Sequence, residues 1–299
     1  MRRVPINPLI GYLYQTPPPV VFHYTSMGVL EQITDKGEIW ASHARFLNDT
    51  SEFDHAKMFI RNYLLERANR IGGLEYLIKE HIPVIDDRHN PNDVFVASFS
   101  EEGDSLPQWR GYCPMGMGVS VGFDSSALKE GALEVQSQLP EDEDNDDPII
   151  NRSFLKCVYT ESEKLKLISE SVNTYITAIQ GKHPQLTTVT AKTFLASTIA
   201  LCSPLFKHES FKEEREWRLV LECNDRKVPK RHFRVAQSTL IPFIKINVRK
   251  NARRTYVKSV YVGPSPNEQL AAWGVKKLLD QRRLSGAMVE NSSIPYRSW

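Results

Sequence analysis

The prediction of the fold depends most on residues 211–220, FKEEREWRLV, which run into a strand-like apolar segment. Because side chains alternate along an extended chain, the pattern predicts Glu214, Glu216 and Arg218 on one face. Trp217 then points to the opposite face. Two carboxylates and a guanidinium are costly to bury without partners, so the cluster favours a ligand-binding strand. The alternative is a half-solvated edge strand that carries an internal salt bridge.

The composition is typical of a globular protein. The 299 residues are 41% hydrophobic and 25% charged, and this length permits one large domain or two small ones. No window approaches the roughly 20 apolar residues of a membrane span, and the N-terminus lacks the apolar core of a secretory signal. The four cysteines have no spacing typical of a zinc site. We therefore expect a cytoplasmic protein with free thiols, no bound metal and no membrane partner.

Charge is unevenly distributed along the chain, although the net charge is only +2. The segment from Arg226 to Lys258 contains eleven Lys or Arg residues and no Asp or Glu. Such a segment attracts a phosphate backbone through its field and through counterion release. It can equally be a solvated face that balances acidic residues elsewhere. The acidic run at 141–147 predicts a surface loop near 140–148, because like charges repel and nothing apolar is available to bury.

Strand-like segments outnumber long helical ones and do not alternate regularly with them. This pattern predicts an α+β fold with a mixed, mainly antiparallel sheet core and helical insertions. We expect an N-terminal arm over 1–19 and a single catalytic-type domain over 20–299. The predicted strands lie near 20–24, 38–42, 93–100, 116–124, 154–159, 216–221, 243–248 and 257–262.

Common catalytic motifs are missing: the chain has no phosphate-binding loop, no nucleophile elbow and no HExxH pair. What remains are polar segments on strands, namely 23–25 (His-Tyr-Thr), 98–100 (Ser-Phe-Ser), and Glu214 with Glu216. Breaking a bond between a sugar carbon and a positively charged base requires groups of these kinds. A polar side chain orients the ribose, an aromatic ring supports the base, and a carboxylate stabilises the oxocarbenium-like centre.

The order of short motifs also resembles a known family. The motifs are FHYTS, GEIWAS, FLNDTSE, SFSEEGDSLPQWRGY, GVSVGFD, EREWRLV and SSIPYRSW, and together they cover nearly the whole chain from about Val20. They resemble a bacterial family catalogued as domain of unknown function 2971. The layout of that family is similar to ADP-ribosyltransferases, which carry a His or Arg on the first strand, a Ser- or Tyr-bearing middle strand, and a late Glu.

This resemblance implies an ADP-ribosyltransferase-like fold with NAD as substrate. It implies that Glu216 is the catalytic carboxylate, with Glu214 as the upstream member of a Glu-x-Glu pair. It also implies that His23 binds the nicotinamide ribose. The further NAD-binding candidates are Tyr24, Thr25, Ser98, Ser100 and Tyr112, where Tyr24 and Tyr112 are alternatives for the stacking ring. The middle motif departs from the Ser-Thr-Ser of the similar enzymes, because it reads Ser-Phe-Ser.

The implied activity is that of a toxin-like or antiphage effector that modifies a macromolecule. The acceptor is a nucleic acid bound through the basic segment Arg226 to Lys258, or a protein, and an inhibitor protein is a further expected partner. Two other functions stay open. One is a metal-dependent nuclease with Mg²⁺ held by Asp49, Glu52, Glu214 and Glu216. The other is a non-enzymatic nucleic-acid-binding or regulatory module.

Overall fold

The computed structural model describes residues 12, 15–47, 51–71, 94–113, 118–132, 149–182, 187, 189–190, 195, 198–199, 202–223, 230–236, 238–249 and 256–295. The chain forms two compact units. The helical unit comprises Met1–Gln15, Ala44–Asn92 and Cys157–Lys212. The sheet unit comprises Thr16–His43, Asp93–Lys156 and Glu213–Trp299. Compact units can belong to one folding domain, so the predicted arm and single domain stay predictions; the acidic loop near 140–148 lies outside the described residues.

The described elements follow in chain order: β1 Val20–Ser26, α1 Met27–Lys36, β2 Glu38–His43, α2 Ser51–Ile71, β3 Val94–Ser100, α3 Leu106–Tyr112, β4 Gly118–Asp124, α4 Ser125–Ala132, β5 Ile149–Lys156, α5 Glu161–Ile179, β6 Glu216–Cys223, β7 His232–Val235, β8 Leu240–Asn247, β9 Val257–Val262, α6 Glu268–Gln281 and β10 Met288–Asn291. Short 3-10 helices cover Ala44–Phe46 and Glu209–Glu214. Among the described residues, no helix combines the length and apolar character that crossing a bilayer requires.

The strands of the sheet unit form one mixed sheet. Its order is β10-β9-β4-β1-β3-β2-β8-β7, with β6 also paired to β3, and β5 paired to β6. The β9–β10 pair is parallel, and the other described strand pairs are antiparallel. The predicted α+β class with a mainly antiparallel sheet is therefore confirmed. The ADP-ribosyltransferase-like character of the fold stays a prediction.

The sheet divides at strand β3. One edge of β3 pairs with β6 over its full length, from Val94 opposite Glu222 to Ser100 opposite Glu216. The other edge is shared, because β2 pairs near Val96 while β1 meets β3 only at Ser100. The strands β1 and β2 thus separate along the middle of β3. This separation leaves room for side chains between two strands of the same sheet.

Local signals explain where the first helix begins and ends. The Ser26 hydroxyl accepts a hydrogen bond from the Val29 N–H at 3.3 Å and caps α1. Gly37 ends the helix with φ 68° and donates its N–H to the Ile33 carbonyl at 2.7 Å. A Cβ at this position would lie 2.5 Å from the Arg249 side chain. Ser26 and Gly37 thus set the two ends of α1.

The alternation of β3 and β6 separates an apolar face from a polar one. Trp217 and Leu219 of β6 and Phe99 of β3 lie in the main hydrophobic core. Burying one such side chain contributes about 1.5–3 kcal/mol. The opposite face carries Ser100 next to Glu216 and Ser98 next to Arg218 across the β3–β6 pair. The core thus holds these polar residues in a fixed register.

The start of β6 differs from the sequence prediction. Glu216 and Arg218 lie on one face of the strand, as predicted, but Glu214 belongs to the preceding 3-10 helix. Arg215 between them has φ 44°, a left-handed conformation that breaks the alternation of side chains. The predicted placement of Glu214 on the strand is therefore wrong. The edge-strand alternative is also wrong, because β6 lies between β3 and β5.

The helical unit contains α2 and α5. A capping box starts α5: the Thr160 hydroxyl accepts from the Glu163 N–H, while the Glu163 carboxylate accepts from the Thr160 N–H. Arg67 of α2 donates to the Asn173 amide oxygen of α5 at 2.8 Å.

Candidate functional site

The sheet unit contains an open cleft at the point where β1 and β2 separate. Its volume is about 310 Å³, including space that is continuous with solvent. Strands β1, β3 and β6, helix α3 and the turn before β6 supply the lining residues, which are Phe22, His23, Tyr24, Ser98, Phe99, Ser100, Gln108, Tyr112, Glu214 and Glu216. The structure thus brings together the predicted site residues apart from Thr25, which does not line this cleft.

The Glu216 carboxylate is paired with Arg218 at the cleft. Arg218 donates from Nε to Glu216 Oε1 at 2.7 Å and from Nη2 to Oε2 at 3.1 Å. Both residues are only 3% exposed. A bidentate guanidinium–carboxylate pair has a fixed geometry, so Arg218 determines how Glu216 is oriented. The internal salt bridge considered from the sequence is present, but it is buried rather than half-solvated.

The turn before Glu216 is held by the loop that follows β3. The Glu101 N–H donates to the Arg215 carbonyl at 3.1 Å, and the Arg215 guanidinium forms an ion pair with Glu102. A non-glycine residue in the left-handed region is strained by roughly 1–2 kcal/mol. These two contacts stabilise the strained turn. This turn determines the residue at which β6 begins.

The two predicted serines have different environments. The buried Ser100 hydroxyl donates to the Glu214 carbonyl at 2.8 Å and accepts from the Glu102 N–H at 3.1 Å. Ser100 therefore ties β3 to the turn before β6. Ser98 is half-buried, and no group of the described chain hydrogen-bonds its hydroxyl. A ligand in the cleft can reach the Ser98 hydroxyl without breaking a bond within this described part.

His23 has a defined protonation pattern. Its Nδ1 lies 3.0 Å from the Ser98 carbonyl oxygen. A carbonyl oxygen only accepts, so Nδ1 carries the proton and Nε2 is an acceptor when the ring is neutral. Burial lowers the pKa of His23, although the hydrogen bond to Ser98 partly opposes that shift. His23 is therefore predominantly neutral at pH 7.

Tyr24 supports the loop that borders the cleft. Its hydroxyl donates to the Glu102 carbonyl at 2.8 Å and accepts from the Ser105 N–H at 2.9 Å. Its ring packs edge-on against Trp109, with centroids 4.7 Å apart. Burial raises the pKa of Tyr24. The hydroxyl is thus engaged with the backbone, which leaves Tyr112 as the more accessible tyrosine of the cleft.

The acidic residues of the motif after β3 anchor the loop from two sides. Glu101 accepts from Lys156 Nζ at 2.7 Å and from Trp217 Nε1 at 2.8 Å. Burial alone would raise the pKa of Glu101, but these two hydrogen bonds, together with the positive charges of Lys156 and Arg215, outweigh burial and lower the pKa. The carboxylate therefore links the loop to β5 and β6.

Asp104 joins this loop to the C-terminal motif. Its carboxylate accepts from Trp109 Nε1 at 2.7 Å, from the Ser292 hydroxyl at 2.5 Å, and from the Ser293 N–H at 2.8 Å. Burial would raise the pKa of Asp104, but these hydrogen bonds outweigh it and lower the pKa. Two motifs that are far apart in sequence thus meet at one carboxylate. Their shared role is to support the loop.

Sequence reasoning missed three of the residues that line the cleft. Phe22 and Phe99 supply aromatic surface, and Gln108 supplies an amide that is 5% exposed. Gln108 is four residues before Tyr112 on α3, and this spacing places both on one side of the helix. This spacing is the feature of the sequence that could have predicted Gln108 as a cleft residue. Thr25, by contrast, uses its carbonyl to accept from the Cys113 thiol at 3.6 Å.

The carboxylate set proposed for Mg²⁺ extends beyond the described side chains. Asp49 and the Glu52 side chain lie outside them, so this set stays a prediction. Within the described part of the chain, no group of three or more His, Cys, Asp or Glu residues is placed to hold a metal ion.

Local acidic partners balance part of the basic segment. Lys245 pairs with Glu38 and Lys258 pairs with Asp124, each at 3.1 Å. Residues 226–229 and 250–255 of the segment lie outside the described part of the chain. The pairs fit the alternative in which the basic face balances acidic residues elsewhere, and nucleic-acid contact stays a prediction.

Comparison with known proteins identifies one related family. Residues 108–219 match the model of a family described as "Protein of unknown function (DUF2971)". No curated protein and no solved structure matches the chain significantly. The matched residues include Gln108, Tyr112, Glu214 and Glu216 of the cleft. Over this segment the chain is therefore similar to the DUF2971 family, in agreement with the resemblance carried by its motifs.

Proposed function

We propose that this protein is an NAD-dependent ADP-ribosyltransferase and that the cleft binds the nicotinamide–ribose part of NAD. One observation carries the proposal: His23, Ser98 and Glu216 come from three different strands and line the same cleft. A histidine acceptor, a serine hydroxyl and a buried carboxylate are the groups that this reaction requires.

The reaction breaks the bond between the ribose C1′ and the nicotinamide nitrogen. The bonding electron pair leaves with nicotinamide, which becomes neutral, and positive charge develops on the ribose ring. The Glu216 carboxylate stabilises that charge. A nucleophilic group of the acceptor then attacks C1′ and loses its proton to a base. Water as the nucleophile would give hydrolysis through the same first step.

The neighbours of Glu216 have separate roles in this proposal. Nε2 of neutral His23 accepts a hydrogen bond from a ribose hydroxyl. Arg218 orients the carboxylate, and because each carboxylate oxygen has two lone pairs, this pairing is compatible with a contact to substrate. The rings of Phe22 and Tyr112 offer apolar surface to the flat base.

The size of the cleft fits part of the dinucleotide. The cleft is open to solvent, and short segments of three strands, one helix and the turn before β6 line it. In the proposed complex, nicotinamide and its ribose occupy the cleft and the ADP portion extends outwards.

Nicotinamide release from NAD by the purified protein tests the proposal. We expect Glu216→Gln to reduce release by at least about 100-fold, the usual effect of losing a group that stabilises transition-state charge. Glu222→Gln is the matched control, since Glu222 lies on the same strand and does not line the cleft. Absence of release by the wild-type protein, or full release by Glu216→Gln, would contradict the proposal.

The non-enzymatic alternative is favoured by one observation, the buried Glu216–Arg218 pair, because a structural ion pair needs no ligand. It predicts no nicotinamide release and no change in thermal stability with NAD. The same two measurements therefore decide between the alternatives.

A further inference from the structure

Gln108 presents a buried amide to the cleft. It lies on α3, is 5% exposed, and lines the same space as Ser100, Tyr112 and Glu216. Amides of mostly buried side chains are usually hydrogen-bonded on both their oxygen and their nitrogen, because burying a polar atom without a hydrogen bond costs free energy. The hydrogen bonds that this amide makes, and those that it lacks, therefore indicate which ligand group fits beside it in the cleft.

The amide is only partly used within the described part of the chain. Gln108 Nε2 donates to the Glu214 carbonyl at 3.4 Å, and the same carbonyl accepts the shorter 2.8 Å bond from the Ser100 hydroxyl. Since a carbonyl only accepts, the nitrogen of the amide must face Glu214. The amide oxygen and the second N–H then have no hydrogen-bond partner among the described residues.

A planar group with one donor and one acceptor side by side complements this free edge. A primary carboxamide is such a group: its N–H donates to Gln108 Oε1, and its oxygen accepts from Gln108 Nε2. A carboxylate offers two acceptors and no donor, so it leaves the Gln108 amide oxygen without a hydrogen bond. The edge therefore discriminates between an amide and the corresponding acid.

We propose that Gln108 is a specificity-determining residue that recognises the carboxamide of the nicotinamide ring. This inference rests on the proposed function, because nicotinamide is the leaving group of that reaction and Gln108 is the side chain that would bind it. The reaction is thereby restricted to dinucleotides with an amidated ring, and the analogue with a nicotinic acid ring is a poor substrate.

The test compares NAD with nicotinic acid adenine dinucleotide as substrates. We expect Gln108→Met to lower kcat/KM for NAD at least about tenfold and to change that for the acid analogue by less than about twofold, because a site built for a hydrogen bond rejects a ligand that lacks it. Gln269→Met is the control, since Gln269 is exposed on α6. If the ratio of kcat/KM for NAD to kcat/KM for the acid analogue is the same in Gln108→Met as in the wild-type protein, the inference is overturned.

A second measurement avoids dependence on the variant. In the wild-type protein, nicotinamide is expected to inhibit at a concentration at least about tenfold lower than nicotinic acid does. Equal inhibition overturns the role of Gln108 while the proposed function stands. Failure of the wild-type protein to release nicotinamide is a different result: it overturns the proposed function, and this inference with it.

Discussion

Arg218 holds the Glu216 carboxylate with two nitrogens, at 2.7 Å from Nε and 3.1 Å from Nη2. The two residues stand two positions apart on β6, so both project from the same face of the strand. Both are almost fully buried. Removing one charge leaves the opposite charge buried without this ion pair, so the loss of either side chain should destabilise the protein.

The pair should therefore be strongly coupled in stability. We expect Arg218→Met alone to lower the free energy of unfolding by about 3–5 kcal/mol, because the Glu216 charge stays buried while the guanidinium that neutralises it is lost. The double variant Glu216→Gln with Arg218→Met should lose less than the sum of the two single variants. Urea denaturation of the four proteins measures this coupling, with the exposed Arg234→Met as control. Additive losses would show that the pair is energetically independent.

His23 should make stability depend on pH. Burial lowers its pKa from the usual 6.5, so the unfolded chain binds a proton at a higher pH than the folded protein does. The stability that neutral His23 provides is complete above about pH 6.5 and is lost as the pH falls from there towards the folded-state pKa. His23→Asn should flatten this part of the curve of melting temperature against pH. An unchanged curve contradicts the assignment, and the exposed His208→Asn is the control.

Tyr24 should matter for stability more than for NAD affinity. Tyr24→Phe removes the hydroxyl that bridges the Glu102 carbonyl and the Ser105 N–H, at an expected cost of about 1–3 kcal/mol. Chemical denaturation measures this cost, and KM for NAD should change by less than about twofold because the ring remains. Tyr112→Phe provides a comparison on the accessible tyrosine of the cleft. A stable Tyr24→Phe protein with a greatly raised KM would reverse these roles.

Asp104 should stabilise the protein only while it is ionised. Its pKa is lowered from 3.8 in the folded state, so its contribution is present above the unfolded pKa and is lost as the pH falls through the folded pKa. Asp104→Asn should therefore reduce the melting temperature at pH 7, with a smaller difference from wild type below pH 3.8. A difference that is constant across this range would indicate that the carboxylate charge is not what matters.

Arg215 should tolerate glycine better than a branched residue. Glycine relieves the strain of φ 44° and loses an exposed ion pair to Glu102, so the net change should be within about 1 kcal/mol. Arg215→Val should destabilise by more, because a β-branched side chain is disfavoured at positive φ. Equal stability of the two variants would argue against a strained turn.

Local pattern predicted much of the sheet unit. The capped helix α1, the extended segments on either side of it, and the shared face of Glu216 and Arg218 all follow from spacing within a few residues. The motif order also named seven of the ten residues that line the cleft. The prediction from alternating side chains was wrong at Glu214, because the left-handed conformation of Arg215 ends the alternation that the prediction assumed.

The sequence by itself thus determined eight strand-like segments that overlap described strands, although the segment near 154–159 only meets the end of β5, and β7 and β10 were missed. It also predicted seven of the residues that line the cleft. Only the tertiary structure decided that His23 bonds to Ser98, 75 positions away, and that the Tyr24 hydroxyl bonds to the loop after β3, 78 positions away. It also decided that Gln108 reaches the turn at Glu214, 106 positions away. The physical reason is the distance along the chain over which each effect acts. The local periodicity of a sequence shows on which face of a strand a side chain lies, whereas the division of the sheet at β3 arises from pairing between strands that are far apart in sequence.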